Sequence, residues 1–332
     1  MKGITRYLLR KTLIYILTFF FAVTLDWAIP RLMPGNPISI MVSRFATLPQ
    51  ASKYMYSYFM QAFGLDKPLW VQYVNFWKAV LHGDLGVSIY MYPKPVADII
   101  KSALPYDIAL LLPSIVLSWI VGNWLGALSA KSKKLDSVLM PVFYFLTASP
   151  YFWLAIVLAY IFSVKLDLLP VSGAYSYGMI PSLSWAFIKD FLRHWILPFL
   201  SLFMVMLGGW AIGMRNMIIY ELEADYVRYL EALGASERTM LRHAYRNAIL
   251  PQVTGLALQL GLIVAGALTT EVVFSYPGIG YILMQAILNQ DYFLIQGCFL
   301  IIVLNVLVAN FVIDLVYALI DPRVKHSFTG GE

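Results

Sequence analysis

The four histidines, at positions 82, 194, 243 and 326, lie far apart, and the single cysteine, Cys298, stands in an apolar run. Such a set has no metal-ligand spacing and makes no intrachain disulfide. There is neither a G-x-x-x-x-G-K-[ST] loop to cradle phosphates nor a G-x-S-x-G nucleophile elbow. No catalytic constellation is visible. The side chains that remain for chemistry are polar groups within apolar runs: Asp26, Asn123, Gln259, Glu271, Asn305, Asn310 and Asp314. A polar group in hydrocarbon is costly, so such residues face protein or water. They suit a polar path through a bundle, and Glu271, Gln259 and Asn305 are its candidate pathway or gate residues. Asp26, Glu271 and Asp314 lie near run ends, where they could also reach the interface. A proton relay would want carboxylates or histidines in mid-span, which this set does not supply.

A second cluster has the opposite character. "DYVRYLEALGASERTMLRHAYRNAILP" (225–251) is charged in a chain that is otherwise mostly apolar. Tyr226, Tyr229, Leu230 and Leu233 recur at i, i+3, i+4 and i+7, the face of a short helix, with Asp225, Arg228 and Glu231 on the other side. Gly234 follows, where a helix end takes a left-handed conformation without Cβ strain. Ser236 offers an N-cap for a second helix, with Glu237 in its first turn. That helix is apolar at 240, 241, 244, 245, 248 and 249, carries Arg238, Arg242 and Arg246 as a basic stripe, and runs to Pro251. A helix of about nine residues is marginal alone in water, so the first one must lie against something. Lipid headgroups, the chain's own helix ends or a groove on a partner protein all fit.

What positions these residues follows from composition. Hydrophobic residues make up 60% of the 332 and charged residues only 13%, where soluble domains carry about 25% charged. The apolar residues fall into six runs, about 12–30, 106–130, 138–164, 195–217, 252–276 and 294–320. Each is long enough to cross a bilayer as roughly 20 helical residues. The first is long for a signal core and lacks a small-x-small cleavage site, so it reads as a retained helix. Placing both termini in the cytoplasm puts 14 of the 24 basic residues inside, among them Lys2, Lys131, Arg215, Arg323 and Lys325. That is the positive-inside bias. The net charge of +6 therefore reports topology and not a nucleic-acid partner.

Residues 31–105 then form an extracytoplasmic insertion of two amphipathic stretches followed by a turn-rich segment. Its aromatics (Tyr54, Tyr58, Phe59, Trp70, Tyr73, Phe76, Trp77) either pack the cap at the membrane interface or contact a solute. Gly209 and Gly213, and Ala257, Gly261 and Ala265, mark small-residue faces where helices approach closely, static or sliding.

The charged segment resembles the cytoplasmic loop of ABC-transporter permease subunits. Gly234 stands where the family glycine stands, and "AILP" (248–251) matches the closing motif. Two departures from the general pattern follow the dipeptide/oligopeptide branch. Arg228, Tyr229 and Leu230 replace E-A-A, and Pro251 lies 17 residues past Gly234 instead of the general 13. The branch's own forms stand here as Asp225, Tyr226, Val227, Arg228, Gly234, Arg242, His243, Asn247, Ala248 and Pro251. "MPGNP" (33–37), "GDLGVS" (83–88), "EVVFSYPGIG" (271–280), "DYFLIQG" (291–297) and "DLVYALIDPRV" (314–324) agree in order and spacing.

The resemblance implies the B-type membrane subunit of a binding-protein-dependent importer of di- or oligopeptides, with oligosaccharides or nickel carried by some relatives. The fold it implies is all-α, a type I importer permease of six transmembrane helices with an insertion after the first. Residues 1–30 would hold the N-terminus and first helix, 31–105 the insertion, and 106–332 a five-helix core with a coupling loop at 215–251. A second homologous permease subunit, two ATPase subunits and an extracytoplasmic solute-binding protein would complete the assembly in the inner cell membrane. ATP and Mg would be used by the partner subunits, with no cofactor bound by this chain. Docking would fall to Asp225, Tyr226, Val227, Arg228, Tyr229, Leu230, Glu231, Ala232, Leu233, Gly234 and Ala235. The rival readings are a stand-alone secondary transporter or channel, which would work without ATPases, and a membrane enzyme, for which no nucleophile or metal cluster is present.

Overall fold

A computed structural model describes residues 2–45, 49–261 and 267–320. In chain order its helices are α1 (Lys2–Leu32), α2 (Pro37–Phe45), α3 (Pro49–Ala62), α4 (Leu69–His82), α5 (Val96–Lys131), α6 (Lys133–Ala148) and α7 (Tyr151–Ala159), which widens into a π turn at Tyr160–Lys165. They continue as α8 (Trp185–Leu222), α9 (Asp225–Ala232), α10 (Glu237–Gly261), α11 (Leu268–Val273), α12 (Ile279–Leu288) and α13 (Tyr292–Ile320). The chain is an all-α membrane protein, with no strand among the described residues beyond one isolated Val87–Pro95 bridge.

Among the described residues, four helices are long and apolar enough to span a bilayer: Leu9–Leu32, Val96–Lys131, Trp185–Leu222 and Tyr292–Phe311. The expected third span, 138–164, is no single rod. It is α6 plus α7 with its π turn, bent by 100°. Pro150 is the cause: its ring bars the α region to Ser149, which sits at ψ 126° and ends α6. The expected fifth span, 252–276, is covered by the end of α10 and by α11; its residues 262–266, including Ala265, lie outside the described residues. So do Arg323 and Lys325. Five spans, counting the bent pair as one, are thus present among the described residues.

Two compact units divide the chain, with the boundary at Pro105 falling inside α5. The first comprises residues 1–105 and 279–332. In it α1 packs along α13, and Lys11 reaches Asp314 at 2.8 Å while the Tyr15 hydroxyl donates to the same carboxylate at 2.6 Å. The insertion is more helical than its sequence suggests, since α2 arises within the stretch after "MPGNP" and Ile38, Met41 and Val42 pack with Phe59 and Ile89. Its aromatics divide by role. Tyr73 pairs its hydroxyl with Thr24 at 2.9 Å, and Trp77 stacks on Phe20 at 5.4 Å, laying α4 along α1. Tyr54, Tyr58 and Trp70 stay exposed.

The second unit, 106–278, is built round α8. Leu197, Leu202 and Val205 of α8 meet Leu110 and Ile115 of α5 and Leu154 and Leu158 of α7. Backbones approach where glycine removes a side chain: a Cβ on Gly208 would lie 2.7 Å from Phe143 O, and one on Gly126 would overlap Ala211 O. The close contact therefore falls one residue before Gly209, which has no atom within 4 Å of its Cβ position. Arg215 grips Asp136 with two bonds, Nε at 2.9 Å and Nη2 at 2.6 Å, while Ser129 donates to the same carboxylate. One carboxylate thus joins the ends of α5, α6 and α8.

Candidate functional site

The charged segment folds as its pattern predicts at both helix ends. Gly234 takes φ 77°, the Ala235 N–H reaches Leu230 O at 3.0 Å and the Gly234 N–H reaches Glu231 O at 2.9 Å. These are the paired bonds of a Schellman end, open to glycine because no Cβ must fit the left-handed backbone. Ser236 then caps α10 by accepting from the Thr239 N–H at 3.3 Å.

The packing face of α9 differs from its sequence pattern. Val227 is buried and Tyr226 and Leu230 are half-buried, whereas Tyr229 and Leu233 are each 66% exposed. The helix is rotated so that two of the four expected apolar residues point away from the chain, one turn apart. Tyr226 decides this rotation: its hydroxyl donates to Glu221 Oε2 at 2.7 Å. Asn247 of α10 donates to the same oxygen at 3.1 Å, so α8, α9 and α10 meet at one carboxylate. Burial first, and the bond to Glu221 second, raise the Tyr226 phenol above its ordinary range. Asp225, Arg228, Glu231, Ala232 and Gly234 are exposed around the outward face, with Ala235 half-buried.

Pro251 does not separate α10 from a following helix. It lies inside one continuous helix, Glu237–Gly261. From Glu237 onward the charged segment and the apolar run beyond it therefore form a single helix that reaches Gly261. Ala248 packs that helix on Met214 and Ile218 of α8, Ala244 is buried, and Arg238, Arg242 and Arg246 are exposed.

The candidate pathway residues separate. Glu271 is wholly buried, with Oε1 accepting from the Ala267 N–H at 2.7 Å and Oε2 crowding Gly278 beside Asp107 Oδ1. Asn305 is half-buried on α13, in the other unit. Gln259 borders a cavity of about 590 Å³ in the second unit, together with Thr147, Ser149, Tyr151, Trp210 and Gln252. A second cavity of about 310 Å³ shares Tyr151 and Met206 with it and continues to Thr269 and Thr270. Glu271 borders neither. Sequence reasoning overlooked Gln252 because Pro251 suggested a helix start there. The signal was available: 252 and 259 are seven apart, two helical turns on one face.

A family model described as the binding-protein-dependent transport system inner membrane component matches residues 122–326. The di/tripeptide transport system permease protein DppB of Pseudomonas aeruginosa is 33% identical over 336 residues, covering 96% of this chain and 98% of the relative. The oligopeptide transport system permease protein AppB of Bacillus subtilis is 30% identical over 324 residues, 96% of this chain and 99% of its own. The dipeptide transport system permease protein DppB of Escherichia coli is 30% identical over 340 residues, 97% and 99% respectively.

Proposed function

The chain belongs to the family of binding-protein-dependent transport system inner membrane components, and from that premise we propose that the solute it carries is a di- or oligopeptide. It is a membrane permease subunit of such an importer. The observation that carries the peptide reading is similarity along nearly the whole chain to three relatives named for di/tripeptide, oligopeptide and dipeptide transport.

In this reading the chain forms half of the pathway and a second homologous permease forms the other half. Two ATPase subunits, which use ATP and Mg, dock on the cytoplasmic side, and an extracytoplasmic binding protein delivers the solute. Both termini lie in the cytoplasm of an inner-membrane protein, and 31–105 lies outside. The outward Tyr229–Leu233 pair supports docking through 225–235, because a small exposed apolar pair on a pinned helix suits a groove. ATPase closure would push α9, and the Glu221 junction would pass the displacement to α8 and to the unbroken α10.

The test is reconstitution with the second permease, the ATPases and the binding protein. Labelled peptide should enter proteoliposomes only with ATP. Equal uptake without ATPase subunits would instead support a stand-alone secondary transporter or channel. Uptake of an oligosaccharide or nickel with no peptide uptake would overturn the peptide assignment.

A further inference from the structure

The two adjoining cavities of the second unit contain polar groups that the fold leaves unspent. Gln252 is only 7% exposed, and its side-chain amide makes no hydrogen bond to the described residues. The Thr270 hydroxyl is fully buried and likewise has no partner among them. Gln259, half-buried two turns along the same face of α10, also keeps its amide uncommitted. Burying an amide or hydroxyl without a partner is destabilising. Polar groups of this kind are satisfied when water or a polar solute occupies the cavity they face.

The rest of the lining narrows what that solute presents. None of the described residues bordering either cavity is charged. A charged wall favours one sign of solute over the other, whereas amides and hydroxyls donate and accept regardless of sign. A nickel ion would want imidazole, carboxylate or thiolate donors, and the described residues of neither lining offer one. Gln252 and Gln259 are separated by about 10 Å along the helix axis, the length of about three residues of extended chain. Peptide bonds at that spacing present carbonyls to the amide N–H groups and N–H groups to the amide oxygens.

We propose that Gln252 and Gln259 form a charge-free hydrogen-bonding track on this subunit that takes the backbone amides of an extended peptide and is indifferent to side-chain charge. The inference rests on the peptide reading above. Selection by charge, where the importer shows any, would then belong to the binding protein.

The experiment uses the assembled importer in proteoliposomes with binding protein saturated by three tripeptides of one length, the central residue neutral, acidic or basic. The wild-type importer should carry all three within about threefold of one another. Gln259→Glu, which keeps side-chain shape, should slow the acidic tripeptide about tenfold relative to the neutral one and leave the basic one no slower. Gln252→Leu should slow all three together by about tenfold, with ATPase subunits still co-purifying. If Gln252→Leu fails to assemble, the half-buried 259 position decides alone. Wild-type rates ranked by peptide charge, or a Gln259→Glu importer that does not distinguish the peptides, would overturn the track while leaving peptide transport intact. A preparation that carries a neutral oligosaccharide and no peptide would remove both readings.

Discussion

Ser88 donates its hydroxyl hydrogen to the buried carboxylate of Asp291, 203 positions further along the chain. The same Oδ2 accepts the Tyr90 N–H at 2.9 Å, and Oδ1 accepts the Leu294 N–H at 3.1 Å at the start of α13. "GDLGVS" and "DYFLIQG", separate motifs in sequence, are thus one structure in the first unit. A single aspartate caps a helix and closes the turn before α5.

Asp291→Asn retains the size of the side chain but removes the charge from its hydrogen bonds and places an N–H₂ where an acceptor is needed. The expected loss is about 2 kcal/mol of stability, since hydrogen bonds to charged groups contribute roughly 1.5–3 kcal/mol. A clearly lower melting temperature of the purified chain in detergent is the expected result. An unchanged melting temperature would show that the junction adds nothing.

Gly278 lies where any Cβ would overlap both Asp107 Oδ1 and Glu271 Oε2. Both carboxylates are fully buried and cannot retreat into solvent. Gly278→Ala should therefore destabilise the second unit by about 1–3 kcal/mol through overpacking. Gly209→Ala, with open space at its Cβ position, should melt like the wild type. Equal melting temperatures for the two variants would contradict this account of the "PGIG" turn.

In α9 the prediction depends on which way each side chain points. Val227→Asp puts a charge at a buried position and should lower folded yield. Leu233→Asp changes an exposed side chain and should leave yield intact while weakening ATPase co-purification by about 2 kcal/mol, roughly 30-fold. Gly234→Val should strain the left-handed end by about 1–2 kcal/mol and misdirect the helix. Should Leu233→Asp retain its ATPase subunits at wild-type affinity, the outward pair is not the docking contact.

The proposed topology is checked by cysteines at two exposed serines, Ser57 and Ser236. Cys298 is wholly buried and should stay silent to an impermeant thiol reagent. Ser57→Cys should label from outside intact cells and Ser236→Cys only in inverted vesicles. Labelling of both from one side would refute the arrangement.

The sequence by itself determined the membrane class and the helical fold, because long apolar runs have one stable backbone solution in lipid. It also determined the ends of the charged segment. A Schellman glycine and a serine cap act through bonds spanning only a few residues, so Gly234 and Ser236 were legible without tertiary contacts. The orientation of α9 was not legible: its apolar pattern identifies a face, but the hydrogen bond from Tyr226 to Glu221 decides how that face is divided between core and surface. Pro251 misled for a similar reason. A proline lowers the local propensity for helix, and α10, held on α8 through Ala248, continues through it. Asp107 and Gln252 gave no local sign of their surroundings. Only the packing of α5, α10 and the "PGIG" turn decides that one lies against a second carboxylate and the other borders an uncharged cavity, since burial is made by residues far apart in the chain.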